Sequence, residues 1–536
     1  MKSATMVSPS KTRAWWQSRP GFKPCILLLG GVILAFTALF TIPPGLMTLV
    51  SERAPVGYGL APGCSTIMET VNQRLSPTAS AEGTSPSMAG EKVARRAMVM
   101  VGILIVAVLF WGTEAISMGG TDLLVVVLMY VFCILPPNDI ARAYLKDEVF
   151  FILGVLAVAV GVSKTGLDRR LGLMLLARVR SMGGICLFFL PLVTLCAGFV
   201  SGHALVAILI PMLMGVYKVS CRAHGVDQDR PLAMLLLLGL AYAGNIGGVV
   251  SPAAGGWNAL MMGYLSDQGA PISFAGWMTR GVPFAMALSF VLGLYLYLVL
   301  KPRCRVTLVD LGRLIQQERE RLPKFGGREA VMGLVLVSMI LVMVFPGQHY
   351  GLGGPALGAV FAMIVFRIVT WEDLQKEVAL DVVGLYGAAC AMGAGLQFTG
   401  GALWVARSLF SMVPGFMTQG DGLFMVVAVM AGILTNFMGD GVVISALGPV
   451  VLPMGALGQM DPWTLGLGCA FASSFAHCLV FGSPNNAICF GMGRDPETGD
   501  RLLRVVDFLK YGVPFWVICM GFLYAWALMG CGAFIL

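Results

Sequence analysis

The chain has 536 residues, 57% of them hydrophobic and 12% charged, with a net charge of +8. A soluble domain carries roughly twice that charged fraction, so the composition excludes one and points to a polytopic membrane protein. The positive charge belongs to basic loops between apolar runs and gives no sign of a nucleic-acid partner.

Residues 1–23 carry Lys2, Lys11, Arg13, Arg19 and Lys23 and no acidic residue, which predicts a cytoplasmic tail. The run 24–43 is too long for a signal h-region and has no small-residue cleavage site, so it reads as a first transmembrane helix. Residues 51–96 are polar and read as an external loop. Helices are expected at about 97–111 and 123–135, followed by a short amphipathic segment over 138–148 suited to the membrane interface. The span 149–162 ends in Lys164, Arg169 and Arg170, which place that end in the cytoplasm. The stretch 183–216 is apolar on both sides of Ser201-Gly202-His203 and basic at both ends, the pattern of a hairpin dipping in from the cytoplasm. The run 232–264 is interrupted at 247–258 by Gly-Gly-Val-Val-Ser-Pro-Ala-Ala-Gly-Gly-Trp-Asn, and a span over 282–300 returns. The linker 301–328 holds eight Lys/Arg, the strongest positive-inside signal in the chain.

The second part replays the first. Spans at 329–345 and 357–369 precede an amphipathic 371–378 and a span at 379–397. Thr165-Gly166 aligns with Thr399-Gly400 at a shift of 234 residues, which also pairs Gly161 with Gly395. A second hairpin is expected over 402–457 with Gly439-Asp440-Gly441 at its tip. The apolar run 465–492 breaks at Gly482-Ser483-Pro484-Asn485-Asn486, and a last helix covers 513–533. Pro484 cannot donate to a helix, and backbone groups freed in hydrocarbon must be satisfied internally or face water. Two broken helices in corresponding positions point to a transport site between repeats. The expectation is an all-α membrane protein with eleven crossings and two re-entrant hairpins. Its inverted repeats would span 97–300 and 329–536. The 13 cysteines form no CxxC pair or Cys/His cluster, and Cys64 stands alone in its loop, which speaks against a disulfide framework.

The stretches WGTEAIS at 111–117 and EVFFILGVLAVAVGVSKTGLDRRLGL at 148–173 resemble the divalent anion/sodium symporter family, as do the two breaks. The resemblance runs from about residue 97 to the C-terminus. It implies a homodimer in the bacterial inner membrane, with an elevator-like transport domain built from the hairpins and broken helices. It also implies transport of dicarboxylate, citrate or sulfate, commonly with sodium and without another cofactor. The family's Ser-Asn-Thr tips bind substrate carboxylates and sodium. Here they read Ser201-Gly202-His203 and Gly439-Asp440-Gly441, so only Ser201 keeps its identity. The family's Thr-Pro-Pro-Asn at the breaks reads Gly255-Gly256-Trp257-Asn258 and Ser483-Pro484-Asn485-Asn486.

On that resemblance the substrate-binding residues are expected to be Ser201, Gly202, His203, Asp440, Gly441, Asn258 and Asn486. The ion-binding set is Ser201, Ser251, Asn258, Gly439, Asp440, Ser483 and Asn486. Each tip is expected to face the break of its own half. An ionised Asp440 ~5 Å from a dianion would cost about 3 kcal/mol per unit charge at an effective dielectric near 20, enough for two charges to cancel most of a micromolar affinity. Asp440 is therefore protonated during binding, paired with a cation, or faced by something other than a dianion; it also reads as a plain helix cap. His203 is a donor to an anion or a neutral, satisfied side chain. His477 and Glu114 read better as structural. Trp257 narrows the pocket or packs between helices. Two rival readings remain open, a cation/proton antiporter and a partner-binding membrane sensor that no longer transports. No catalytic constellation suggests an enzyme.

Overall fold

The computed structural model describes residues 22–51, 86–176, 181–308, 325–345 and 350–528. Most of the basic tail, the segment 52–85 with Cys64, and the middle of the 301–328 linker lie outside these residues. Two helices, α1 (Phe22–Leu39) and α2 (Pro44–Ser51), precede a tenfold series. It runs α3 (Pro86–Thr113), α4 (Met118–Val131), α5 (Pro137–Tyr144), α6 (Asp147–Thr165), α7 (Leu167–Leu176), α8 (Met182–Ala197), α9 (Gly202–Ala223), α10 (Arg230–Gly247), α11 (Gly256–Asp267) and α12 (Phe274–Leu300). The series then repeats as α13 (Gly327–Val344), α14 (Gly353–Val365), α15 (Trp371–Glu377), α16 (Leu380–Thr399), α17 (Gly401–Met412), α18 (Gly420–Leu434), α19 (Asp440–Leu457), α20 (Pro462–Ser473), α21 (Pro484–Met492) and α22 (Val505–Leu528). Each helix of the first series thus has its counterpart ten labels later.

Local chemistry repeats with the order. Helix α6 ends on Gly166 at φ 75° and α16 on Gly400 at φ 77°, the left-handed stop that glycine adopts without strain. In both, the preceding threonine hydroxyl turns back to a carbonyl four residues earlier, Thr165 to Gly161 at 3.0 Å and Thr399 to Gly395 at 2.7 Å. Packing is crosswise, α6 against α14 and α16 against α4. Small residues set these approaches, as expected where helices meet without a hydrophobic drive in lipid. A Cβ on Gly154 of α6 would lie 2.5 Å from Ala356 Cβ of α14.

Two expectations are corrected. The external loop ends before Pro86, because α3 carries Glu91, Arg95 and Arg96 as helical turns beyond its apolar part. Arg95 is held there by carbonyls at the end of α1, Ala38 O at 3.3 Å and Phe40 O. The second hairpin starts at Gly420, not 402, since α17 is a separate helix, the counterpart of α7, set off by the stop at Gly400 and by Pro414. Among the described residues, eight helices are long and apolar enough to cross a membrane, or nine if Pro137–Thr165 and Leu167–Leu176, bent by 71°, count as one span. Length alone does not count the crossings. The broken helices divide their spans into halves, and α4 and α14 are shorter than the ~20 residues a straight crossing needs.

At one end of α6 the two series are clamped by ion pairs. Lys164 meets Asp373 and Glu377 of α15, and Arg170 meets Glu329 of α13 at 2.8 Å. The Lys164 ammonium and the Thr370 amide hold the Asp373 carboxyl down at about 2. A depressed carboxylate stabilises above its unfolded value and loses that contribution as pH falls towards 2. The clamp therefore persists across physiological pH. Replacing Gly154 by Leu should lower the Tm of the detergent-solubilised protein by an amount corresponding to about 1–3 kcal/mol of overpacking. Gly31, where an added Cβ would meet nothing within 4 Å, should accept Leu without loss. Equal melting of the two variants would contradict the close α6–α14 seam.

Candidate functional site

Helix α10 stops at Gly247, and the chain runs unwound, with one 3-10 turn at Pro252–Ala254, until α11 begins. Helix α20 stops at Ser473, and the chain is again unwound until Pro484 starts α21. In each break one buried asparagine satisfies the freed carbonyls. Asn258 Nδ2 donates to Gly248 O at 2.7 Å and Ser251 O at 2.9 Å. Asn486 Nδ2 donates to Ala476 O at 2.7 Å and Leu479 O at 2.9 Å. Both reach ten and seven residues back, so a shift of 228 carries one break onto the other.

A serine caps the 3-10 turn inside the first break and another caps the second half-helix of the second. Ser251 Oγ accepts from Ala253 N and donates to Gly198 O of the first hairpin turn at 2.5 Å. Ser483 Oγ accepts from Asn485 N and donates to Asn245 Oδ1 at 2.7 Å. At the first tip Ser201 caps α9 through Ala204 N at 3.4 Å. At the second, Gly439 offers no side chain and Asp440 opens α19, half-buried. Thr435 Oγ1 lies 2.6 Å from Asp440 Oδ1 and 2.5 Å from Ser473 O. A threonine hydroxyl has one proton, and an ionised Asp440 makes both neighbours acceptors. A proton on Asp440 resolves the count, because the carboxyl then donates to Thr435 and Thr435 donates to Ser473.

The tips do not simply face their own breaks. The arm after each tip packs on the second half-helix of the opposite series, α9 on α21 and α19 on α11. His203 Nδ1 accordingly lies 2.9 Å from Asn485 Oδ1 rather than against Asn258. The ring's tautomer follows from a chain of amides. Asn486 spends its Nδ2 on backbone carbonyls, so its Oδ1 accepts from Asn245 Nδ2 at 3.2 Å. Asn245 Oδ1 then accepts from Asn485 Nδ2 at 3.0 Å, which turns Asn485 Oδ1 to His203. Nδ1 must therefore carry a proton.

A cavity of about 340 Å³ opens beside this junction. Its polar wall is Ser201, Gly202, His203 and the stretch Pro252–Trp257; the rest is mostly aliphatic and aromatic surface of α6, α13 and α16. Of the residues expected from sequence, Ser201, Gly202 and His203 line it. Asn258, Ser251, Asn486 and Ser483 are buried behind it as the braces of the breaks. Gly439, Asp440 and Gly441 lie beyond Tyr386, whose hydroxyl would be 2.8 Å from a Cβ on Gly441. Asn258 Oδ1 is buried with no hydrogen-bond partner among the described residues. Asn245, Thr435 and Tyr386 escaped the sequence reading; Asn245 left a signal, a lone amide in the apolar run LGLAYAGNIGG. His477 is fully buried, tilted against the rings of Tyr242 and Phe515, and 3.4 Å from Asn245 Nδ2, a structural setting. Glu114 sits at φ 50° in the turn after α3.

Residues 86–529 match the model of the sodium:sulfate symporter transmembrane region family. The chain belongs to this family. The sodium-dependent dicarboxylate transporter SdcS of Staphylococcus saprophyticus is 26% identical over 409 residues, covering 72% of this chain and 78% of the relative. SdcS of Staphylococcus aureus is 26% identical over 417 residues with the same coverage. The fold is shared more widely. The YdaH transporter of Alcanivorax borkumensis superposes with a TM-score of 0.51 at 16% identity, over 76% of this chain and 89% of that one. MtrF of Neisseria gonorrhoeae gives 0.53 at 11% identity, over 82% and 95%. This member of the symporter family is thus a multi-pass membrane protein whose relatives are transporters.

Asn245→Leu would strand Ser483 Oγ, Asn485 Nδ2 and Asn486 Oδ1, at about 1–3 kcal/mol per buried unsatisfied group. We expect a larger drop in Tm than for Ser483→Ala, which removes one donor to Asn245 and the cap on Asn485 N. Equal drops would mean that the amide chain does not hold the junction.

Proposed function

We propose that this chain is a secondary active transporter that carries a small organic anion across the bacterial inner membrane, coupled to sodium or protons. The observation that supports this reading is the crossed junction itself. The first tip and the first break line one cavity, and the first tip meets the second break through His203 and Asn485; transporters of this kind bind substrate where discontinuous helices end at repeat interfaces. The N-terminus is cytoplasmic and the C-terminus external, the two series are inverted, and the hairpins with α10–α12 and α20–α22 move as an elevator in a homodimer. The relatives' sodium dependence and the unpartnered Asn258 Oδ1 favour a sodium site at the first break. The hydrogen-bond count at Asp440 favours a proton at the second tip.

Uptake into proteoliposomes under separately imposed sodium and pH gradients tests the reading; no uptake under either gradient would leave the partner-binding alternative. Asp440→Asn should alter ion dependence more severely than Ser483→Ala. Wild-type uptake should fall as external pH rises between about 5 and 7, where a histidine or a shifted carboxyl titrates. The mutant's profile should be flatter. Unchanged pH and sodium dependence in Asp440→Asn would reduce Asp440 to a cap. For the orientation, single cysteines placed in 301–328 should resist impermeant reagents in intact cells; labelling from outside would break the inverted arrangement.

A further inference from the structure

Helices α11, α16 and α19 pack on one another, and two tyrosines join them in layers. In the inner layer the ring of Tyr386, from α16, fills the space that a side chain on Gly256 of α11 would need. It does the same at Gly441 of α19, where a Cβ would fall 2.8 Å from the Tyr386 hydroxyl. In the outer layer Tyr264, from α11, covers Gly448 of α19 and Gly393 of α16, and a Cβ on Gly393 would fall 2.6 Å from its ring. Each layer thus holds one tyrosine and two glycines, one residue from each helix. Tyr386 to Gly393 and Gly441 to Gly448 are steps of seven residues, and Gly256 to Tyr264 is a step of eight. The layers therefore lie about two helical turns apart on all three helices.

Polar contacts tie the same seam. The buried Tyr264 hydroxyl donates to Ala389 O of α16 at 3.0 Å. Beyond the outer layer, Lys146, just before α6, pairs with Asp267 at the end of α11 at 2.6 Å, and Gln397 Nε2 of α16 donates to Asp267 O at 3.4 Å. The two charged side chains are only 25% and 28% exposed, so parting them would leave each partly shielded charge without its partner. On one side of the seam stand α6 and α16. On the other stand α11 and α19, which belong to the body of hairpins and broken helices. Small residues alone would let such a seam slide through many positions. Rings set into glycine notches from both sides fit one register.

We propose that Tyr264 and Tyr386 are reciprocal bolts that hold the hairpin and broken-helix body against α16 in the position seen here. Their withdrawal from the glycine notches is the step that frees this body to move. Tyr386 also lines the cavity, so a molecule bound there meets the inner bolt directly. The proposal rests on the transport reading for what the motion serves, but the lock is read without uptake.

A native thiol reports on the seam. Cys390 is buried on α16, one turn past Tyr386 and on the face that carries Gly393, while Cys519 of α22 is buried away from the seam. The purified full-length protein in nanodiscs is treated with N-ethylmaleimide, and alkylation of each cysteine is followed by mass spectrometry. Gly393→Ala, which pushes the Tyr264 ring from its notch, should speed Cys390 alkylation at least tenfold and leave Cys519 unchanged. Where that variant fails to fold, Tyr264→Phe keeps the ring and removes only the bond to Ala389, and should speed Cys390 several-fold. An unchanged Cys390 rate in the folded Tyr264→Phe variant overturns the proposal. So does a parallel rise at Cys519, which would mean general loosening. Succinate uptake by proteoliposomes is measured alongside. Uptake with an unresponsive Cys390 overturns the lock and leaves transport intact. The expected Cys390 response without uptake under a sodium or a pH gradient supports the lock and removes the transport reading.

Discussion

The structure depends on how two interrupted helices satisfy their backbone inside a membrane. Water cannot reach the freed carbonyls at that depth, so each break needs an internal donor. Asn258 and Asn486 supply it, each spending both amide protons on carbonyls ten and seven residues back. Only their Oδ1 atoms remain for anything else. That commitment explains why asparagine, and not aspartate or serine, stands at these positions. One side chain must donate twice to the backbone and still present an acceptor.

The two spare oxygens meet different fates, and there the repeat stops being symmetrical. Asn486 Oδ1 is taken by Asn245, while Asn258 Oδ1 stays unpaired among the described residues. The tips diverge in the same way. When Ser201 is set on Gly439, His203 falls on Gly441 and Asp440 on Gly202, so every position carries a polar side chain in one tip and glycine in the other, two in the first tip and one in the second. Gly441 leaves room for Tyr386, and that ring separates the second tip from the cavity. The cavity consequently sits on the first tip's side, against Trp257.

Much of the architecture was legible because it is written in local chemistry. The shift of 234 residues follows from Thr-Gly at two helix ends, and both glycines adopt left-handed angles. The breaks follow from proline and glycine inside apolar runs. What escaped was long-range. Nothing in the spacing of 401–420 separates α17 from a hairpin arm, since both are apolar and glycine-bounded. Nothing local tells that α9 packs on α21 and α19 on α11, because such crossing is a property of two series folded together. Asn245 was visible as an isolated amide, but its partners lie 231–241 residues away. Gly-Gly-Trp looked like a degenerate motif, and only the rings packed over those glycines show it to be a single unit.

The amide chain also limits what the first tip can offer an anion. With Nδ1–H committed to Asn485, a neutral His203 presents only an acceptor at Nε2. It donates to a carboxylate there only as imidazolium, so a carboxylate contact at Nε2 brings a proton with it. Asp440 meets the same condition from the opposite charge. Its bond to Thr435 and Thr435's bond to Ser473 are both donor-satisfied only when the carboxyl is protonated. Two groups that would each be badly placed in one ionisation state, on opposite tips, thus tie the hydrogen bonding of the junction to proton occupancy. The Ser-Asn-Thr residues that they replace have no titratable group with which to impose such a condition.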